Sequence, residues 1–198
     1  MKKLANIGLM IAALLFLSGN AFAQLSINKG LKVGYNIADL SFEPSAETSS
    51  RSSFAGGGYV ELDLLGPIDF QAEVLYSPKG AKVKSEGQEI TVKGDYLEVP
   101  LLVKLQLPLL PTLSWNIHAG PSFGFKISES TDPKVDTDGD IFKSSDLGGA
   151  IGAGLKFSAL ISHVTVDARY TFGFSDVSAQ GDFKVKNNVF ALLVGIGF

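Results

Sequence analysis

The sequence predicts an all-β chain, an eight-stranded antiparallel up-and-down transmembrane β-barrel. Three observations predict it. Apolar residues recur at every second position through segments of roughly 10 residues, the length of a tilted membrane-crossing strand. The face opposite the apolar one is rich in Gly, Ala and Ser and sparse in charge. The connections between segments alternate long and short.

Composition narrows the alternatives. The chain has 198 residues, enough for one domain, with 45% hydrophobic and only 19% charged residues. That charged share is below the usual quarter. The formal net charge of -3 gives no nucleic-acid footprint. With no cysteine there is neither a disulfide framework nor a thiolate metal site.

The N-terminus reads as a secretory signal peptide over residues 1–23, leaving a barrel domain over 24–198. Lys2 and Lys3 form a basic n-region, Leu4 to Leu17 an apolar h-region, and Ala21-Phe22-Ala23 a small-x-small cleavage site before Gln24. Removing two lysines and no acid takes the formal charge from -3 to -5. After Ala23 no apolar run is long enough to span a bilayer as a helix.

The segments then follow in order. Leu31 to Leu40 sets Leu31, Val33, Tyr35 and Ile37 against Lys32, Gly34 and Asn36. Phe54 to Leu64 sets Val60, Leu62 and Leu64 against Tyr59, Glu61 and Asp63. Ile68 to Ser77 sets Ile68, Phe70, Ala72, Val74 and Tyr76 against Asp69, Gln71 and Glu73. Gly94 to Gln106 is the clearest: Leu97, Val99, Leu101, Val103 and Leu105 form one unbroken apolar face, opposite Glu98 and Lys104 in mid-strand. Leu113 to Lys126 sets Trp115, Ile117, Ala119, Phe123 and Phe125 against Asn116, His118, Gly120 and Ser122. Leu147 to Phe157 sets Ile151, Ala153 and Leu155 against Gly148, Ala150, Gly152, Gly154 and Lys156. In the seventh, Val164, Val166, Ala168, Tyr170 and Phe172 oppose His163, Thr165, Asp167, Arg169 and Thr171. Asn188 to Phe198 sets Phe190, Leu192, Val194, Ile196 and Phe198 against Ala191, Gly195 and Gly197.

A soluble barrel would wet its polar face and load it with Lys and Glu. Here that face is small-residued, as a narrow lumen requires, because eight strands enclose a space only wide enough for side chains. The apolar face is therefore expected against lipid. The links Leu65-Gly66-Pro67, Leu107 to Thr112 and Ser158-Ala159-Leu160 are short, whereas Asp39 to Ser53, Pro78 to Lys93, Ser128 to Asp146 and Ser175 to Lys186 are long and polar. Short periplasmic turns and long external loops place the chain in the cell outer membrane, with both termini in the periplasm. On the lipid face Trp115, Phe157 and Phe198 fall at periplasmic strand ends, and Tyr76, Phe125, Phe172 and Phe190 at external ends. That spacing predicts two aromatic girdles. The terminal Phe198 is also the expected signal for the barrel-assembly machinery.

Several runs resemble a known family. Leu31-Lys32-Val33-Gly34-Tyr35-Asn36, Phe70 to Gly80, Tyr96 to Lys104, Ala119 to Gly124 and Asp167-Ala168-Arg169-Tyr170 are similar to the outer-membrane β-barrels typified by PorT-like proteins of the Bacteroidota. The resemblance covers essentially the whole mature chain and implies a small barrel of OmpA or OmpX size. It implies no catalytic residue, and it links a few members to a secretion apparatus.

No pattern asks for a cofactor, a metal or a catalytic set. Asp136-Thr137-Asp138-Gly139-Asp140 alternates carboxylates, but Ile141 stands where an EF-hand loop needs Gly and Leu147 where it needs Glu. His118 and His163 are the only histidines, and neither is expected at the external rim, so a Ser-His-Asp hydrolase is not predicted. Pro78 to Lys84 makes the second long loop basic. Glu61, Glu73, Glu98, Lys104, Asp167 and Arg169 all fall inward, as an ion path or as a charge network plugging the lumen, and the plug is the expectation in so narrow a barrel. Arg169 needs a carboxylate from Asp167, Glu98 or Glu73, and Glu98 is the partner expected. The expected function is that of a monomeric structural or interaction protein acting through external loops toward a protein or surface ligand, in contact with outer-membrane lipid. The alternatives are a narrow cation-preferring pore or an accessory of a secretion apparatus. Mass spectrometry of the exported protein should find Gln24 at its N-terminus; a mature species starting at Met1 would contradict this route.

Overall fold

The computed structural model describes residues 26–43, 48–64, 66–85, 88–132, 142–159, 161–178 and 184–198. The Ala23 cleavage site and the acidic run Asp136 to Asp140 lie outside the described residues. The described chain forms β1 (Ser26–Glu43), β2 (Thr48–Asp63), β3 (Ile68–Ser85), β4 (Gln88–Leu110), β5 (Leu113–Asp132), β6 (Ser145–Ser158), β7 (His163–Gly173) and β8 (Lys184–Gly197). Each strand pairs antiparallel with its sequence neighbour, and β8 returns to β1, closing the barrel. Closure leaves no unpaired sheet edge, the condition for β-structure in hydrocarbon. The seam runs from Gly30 opposite Gly197 to Glu43 opposite Lys184. Phe198 extends it by one residue: its N–H donates to the Lys29 carbonyl at 2.9 Å, and its carbonyl accepts the Lys29 N–H at 3.1 Å.

Period two decides which way every strand faces. Along β1, Lys32 is 1% exposed and its neighbour Val33 65%; along β4, Val103 is 57% exposed and Lys104 1%. Leu31, Val74, Ile117, Ile151, Leu192, Val194 and Ile196 are likewise exposed on the outer face, while Glu61, Glu73, Asp167 and Arg169 are buried inside. The molecule is thus apolar outside and charged within, the reverse of a water-soluble domain.

The strands correct the sequence-based boundaries in one direction. Pro78 to Lys93, expected as a loop, is a paired hairpin from Pro78 opposite Asp95 to Ser85 opposite Gln88. β1 runs to Glu43, β5 to Asp132 and β8 starts at Lys184, each inside an expected loop. β4 has 23 residues, about twice what a tilted strand needs to cross a bilayer. Backbone pairing continues past the point where alternating hydrophobicity stops, because the outer face there no longer meets lipid. Of the expected external aromatics only Phe172 lies at a strand end, one residue from the end of β7: β3 runs nine residues past Tyr76 and β5 seven past Phe125, and Phe190 lies six residues into β8.

At the long-loop end a small apolar core sits above the polar lumen. Leu40, Ala81, Phe142, Val177 and Val185 are buried together, with Val92 packed against them. Phe142 bridges to Ser178 and is pinned by Glu129, which accepts its N–H at 3.0 Å. Asp176 ties the segments together by accepting the Lys143 ammonium at 2.7 Å, the Val185 N–H at 2.9 Å and the Ser178 N–H at 3.1 Å.

Two measurements check this architecture. Val99→Arg, on the outer face, should destabilise the barrel in bilayers by roughly 2–4 kcal/mol; an unchanged stability would overturn the faces. The hydrogen bond from Lys143, with the Val185 N–H, holds the Asp176 carboxyl down to about 2. A depressed folded value means the contact's stabilisation is complete above the unfolded carboxyl value near 4 and is lost as pH falls from there toward 2. NMR titration of the Val185 and Ser178 amides should show the transition near pH 2; a midpoint near 4 would contradict it.

Candidate functional site in the barrel lumen

Inward positions of neighbouring strands bring eleven buried charges into the lumen. Lys32, Lys79, Lys104, Lys156 and Arg169 supply five cations, and Glu61, Asp69, Glu73, Glu98, Asp146 and Asp167 six carboxylates. All but Asp69 form three linked groups. In the middle, Glu73 of β3 takes Arg169 of β7 in a bidentate grip, Nη1 to Oε2 at 2.6 Å and Nη2 to Oε1 at 2.8 Å. Lys32 of β1 donates to Glu73 at 2.9 Å and to Asp167 at 2.7 Å. Toward the short-turn end, Glu61 of β2 accepts Lys104 at 2.5 Å and Lys156 at 2.8 Å. Gln71 joins these two groups, since its carbonyl accepts Lys104 at 3.0 Å and its amide donates to Glu73. Toward the long-loop end, Lys79 lies 3.4 Å from Glu98 and 3.2 Å from Asp146. Ser122 donates to Glu98 at 2.8 Å, and Asn187 to Asp146 at 2.9 Å.

A buried charge without a partner is far costlier than a paired one, so the ten grouped charges satisfy one another, while Asp69 borders the cavity at the short-turn end. Aromatic faces add to the cations: Lys32 lies 5.1 Å from the Tyr59 ring centre and Lys79 5.2 Å from that of Tyr96. His163 meets the Tyr59 hydroxyl at 2.8 Å, and His118 meets Asn116 at 2.9 Å.

The six residues expected in the network are all present and buried, but one pairing is corrected. Arg169 binds Glu73, not Glu98, and Asp167 beside it accepts Lys32 instead. Glu98 is already engaged by Lys79 and Ser122. Lys79 had the appearance of a loop lysine only because β3 outruns its apolar pattern. Lys32 and Lys156 sit at inward positions legible from alternation, yet their partners lie on strands distant in sequence. Asp146 escapes notice for the reason Lys79 does, one residue outside the expected strand.

Tyr76, Trp115, Phe125, Phe157, Phe172, Phe190 and Phe198 all lie on the outer face, partly or largely exposed. At the short-turn end a cavity of about 450 Å³ is lined by Asp63, Asp69, Gln106, Pro108 and Ser114. The carboxylates of Glu61, Asp63 and Asp69 converge beside it within 4.8 Å. Glu61 is held there by two lysines and Asp63 by the Asn28 amide at 3.0 Å, so two of the three are already satisfied without an ion.

Arg169→Ala leaves Glu73 with one cation, Lys32, and the Gln71 amide, and should destabilise by about 3–5 kcal/mol. Adding Glu73→Gln should recover part of that loss, whereas adding Glu98→Gln should not. Unfolding in urea of the wild type, the three single variants and the two doubles gives both cycles; coupling to Glu98 rather than Glu73 would contradict the pairing.

Comparison with known proteins agrees with this architecture. Neisserial surface protein A matches with a TM-score of 0.57 at 11% identity, over 88% of this chain and 99% of that one. OprG from Pseudomonas aeruginosa matches with a TM-score of 0.52 at 14% identity, over 88% of this chain and 95% of that one. The Escherichia coli outer membrane protease OmpT matches at a TM-score of 0.45 and 10% identity, over 87% of this chain and 96% of that one, too slight a likeness to bear on activity. No curated protein sequence matches the chain. Residues 22–179 match the family described as outer membrane protein beta-barrel domain, most of the chain. With its closed eight-stranded barrel, apolar outside and ion-paired inside, the chain belongs to that family of outer-membrane β-barrels.

Proposed function

We propose that the protein is a monomeric structural or interaction protein of the outer membrane, that its lumen does not conduct, and that it meets a protein or surface ligand at its long-loop end. The observation that supports this reading is the filling of the lumen by paired charges beneath the Phe142 core. A conduit needs mobile water and weakly held ions; here each buried cation is within 3.4 Å of a carboxylate. Strands continuing past the lipid-facing residues make a stiff rim, and binding residues are commonly carried on such rigid supports. The long-loop end faces the exterior and both termini the periplasm in this proposal. The outer aromatics act as girdles in the lipid, and Phe198 is read by the barrel-assembly machinery.

One observation favours a second reading, a narrow cation-preferring pore: Glu61, Asp63 and Asp69 make the mouth at the short-turn end acidic. Planar-bilayer recordings of the purified protein distinguish the two. No stable channel of porin size is expected. Stable, cation-selective steps would overturn the filled-lumen reading in favour of the pore.

A further inference from the structure

Between Asp146 and Lys156 strand β6 contributes no polar side chain to the lumen, since its inward positions there are Gly148, Ala150, Gly152 and Gly154. Two rows of the barrel cross it. Asn116 of β5 faces Gly154, which faces Asp167 of β7. His118 faces Gly152, which faces Arg169. The flanking side chains lean over the glycines: a Cβ at Gly154 would strike Asp167 Oδ1 and lie 3.0 Å from Asn116 Nδ2, and one at Gly152 would strike His118 Nε2.

All four flanking residues are at most 3% exposed. Each has one polar atom without a hydrogen-bond partner in the chain: Asn116 Nδ2, Asp167 Oδ1, His118 Nε2 and Arg169 Nε. Buried polar atoms are rarely left in that state. The unpartnered atoms are complementary across each row. Asn116 Nδ2 is a donor opposite the acceptor Asp167 Oδ1. Asn116 Oδ1 is an acceptor toward His118 Nδ1, so Nδ1 carries the proton and Nε2 is the acceptor opposite the Arg169 Nε donor. Thr165, the next inward residue of β7, adds an unpartnered buried hydroxyl.

We propose that ordered water bridges Asn116 to Asp167 and His118 to Arg169 over these glycines. The chemistry selects water over other small ligands. An anion would meet Asp167 and a cation Arg169, while an apolar group would leave every donor and acceptor unsatisfied. Only a ligand that donates and accepts at once completes both rows. Buried waters of this kind make about three hydrogen bonds and belong to the structure. They connect the Lys32–Asp167–Arg169–Glu73 group to β5 across a strand that has no side chains for the task.

NMR of the full chain, labelled with nitrogen-15 and folded in lipid nanodiscs, tests this with water itself as the probe. Water cross-peaks are expected at the Asn116 side-chain amide, along with a His118 shift for the Nδ1–H tautomer with Nε2 accepting. Gly154→Ala should abolish the Asn116 cross-peak, because the methyl would displace Asp167 Oδ1 from its place opposite Asn116. If that variant does not fold, the unmodified protein decides alone. A wild-type amide without water contact, or His118 in the Nε2–H tautomer, would overturn the proposal.

Discussion

The interaction on which the rest of this structure depends is the grip of Glu73 on Arg169 and Lys32. It joins β3, β7 and β1 across the lumen, and no sequence-local contact replaces it. Its contribution is better understood as specificity than as stability. Buried ion pairs are often no more stable than an apolar core of equal volume, but breaking one is costly. A slip of one residue in any strand carrying these groups would turn its charges into lipid and its leucines into the lumen. The register of β1, β3 and β7 is therefore penalised for every alternative to the one observed.

The two ends of the barrel are finished differently. At the short-turn end the lumen broadens into a cavity with acidic walls at Asp63 and Asp69. At the other end Phe142 and Val177 lie over the polar core, where the β5–β6 and β7–β8 connections meet. The upper ion-pair group of Lys79, Glu98 and Asp146 thus lies under an apolar cover, so its charges must be satisfied by one another and by Ser122 and Asn187.

How far these features could be read without coordinates follows from what alternation measures. Inside the bilayer, a period-two pattern reports lipid on one side and lumen on the other. Hence the eight strands, their faces and the inward set from Glu61 to Arg169 were legible. Outside the bilayer, both faces of a strand tolerate polar residues, and the pattern fades while the hydrogen-bonded ladder does not. Pro78 to Lys93 was hidden for that reason, and with it Lys79, and so the reason Glu98 is unavailable to Arg169. The choice of Glu73 depends on which groups Lys79 and Lys32 already occupy, which no single strand encodes. The glycines of β6 were visible as small residues but not as the floor beneath Asn116, His118 and Asp167.

The central claim is that the outer face meets lipid and that the inner face meets other side chains rather than bulk water. Because the chain has no cysteine, single cysteines placed at each position from Leu97 to Leu105 test both halves at once in intact outer membranes. Odd-numbered positions should react with a membrane-soluble maleimide and not with a charged one, and even-numbered positions with neither until the protein is unfolded. Reaction of the even positions with the charged reagent would mean a water-filled lumen and contradict the account.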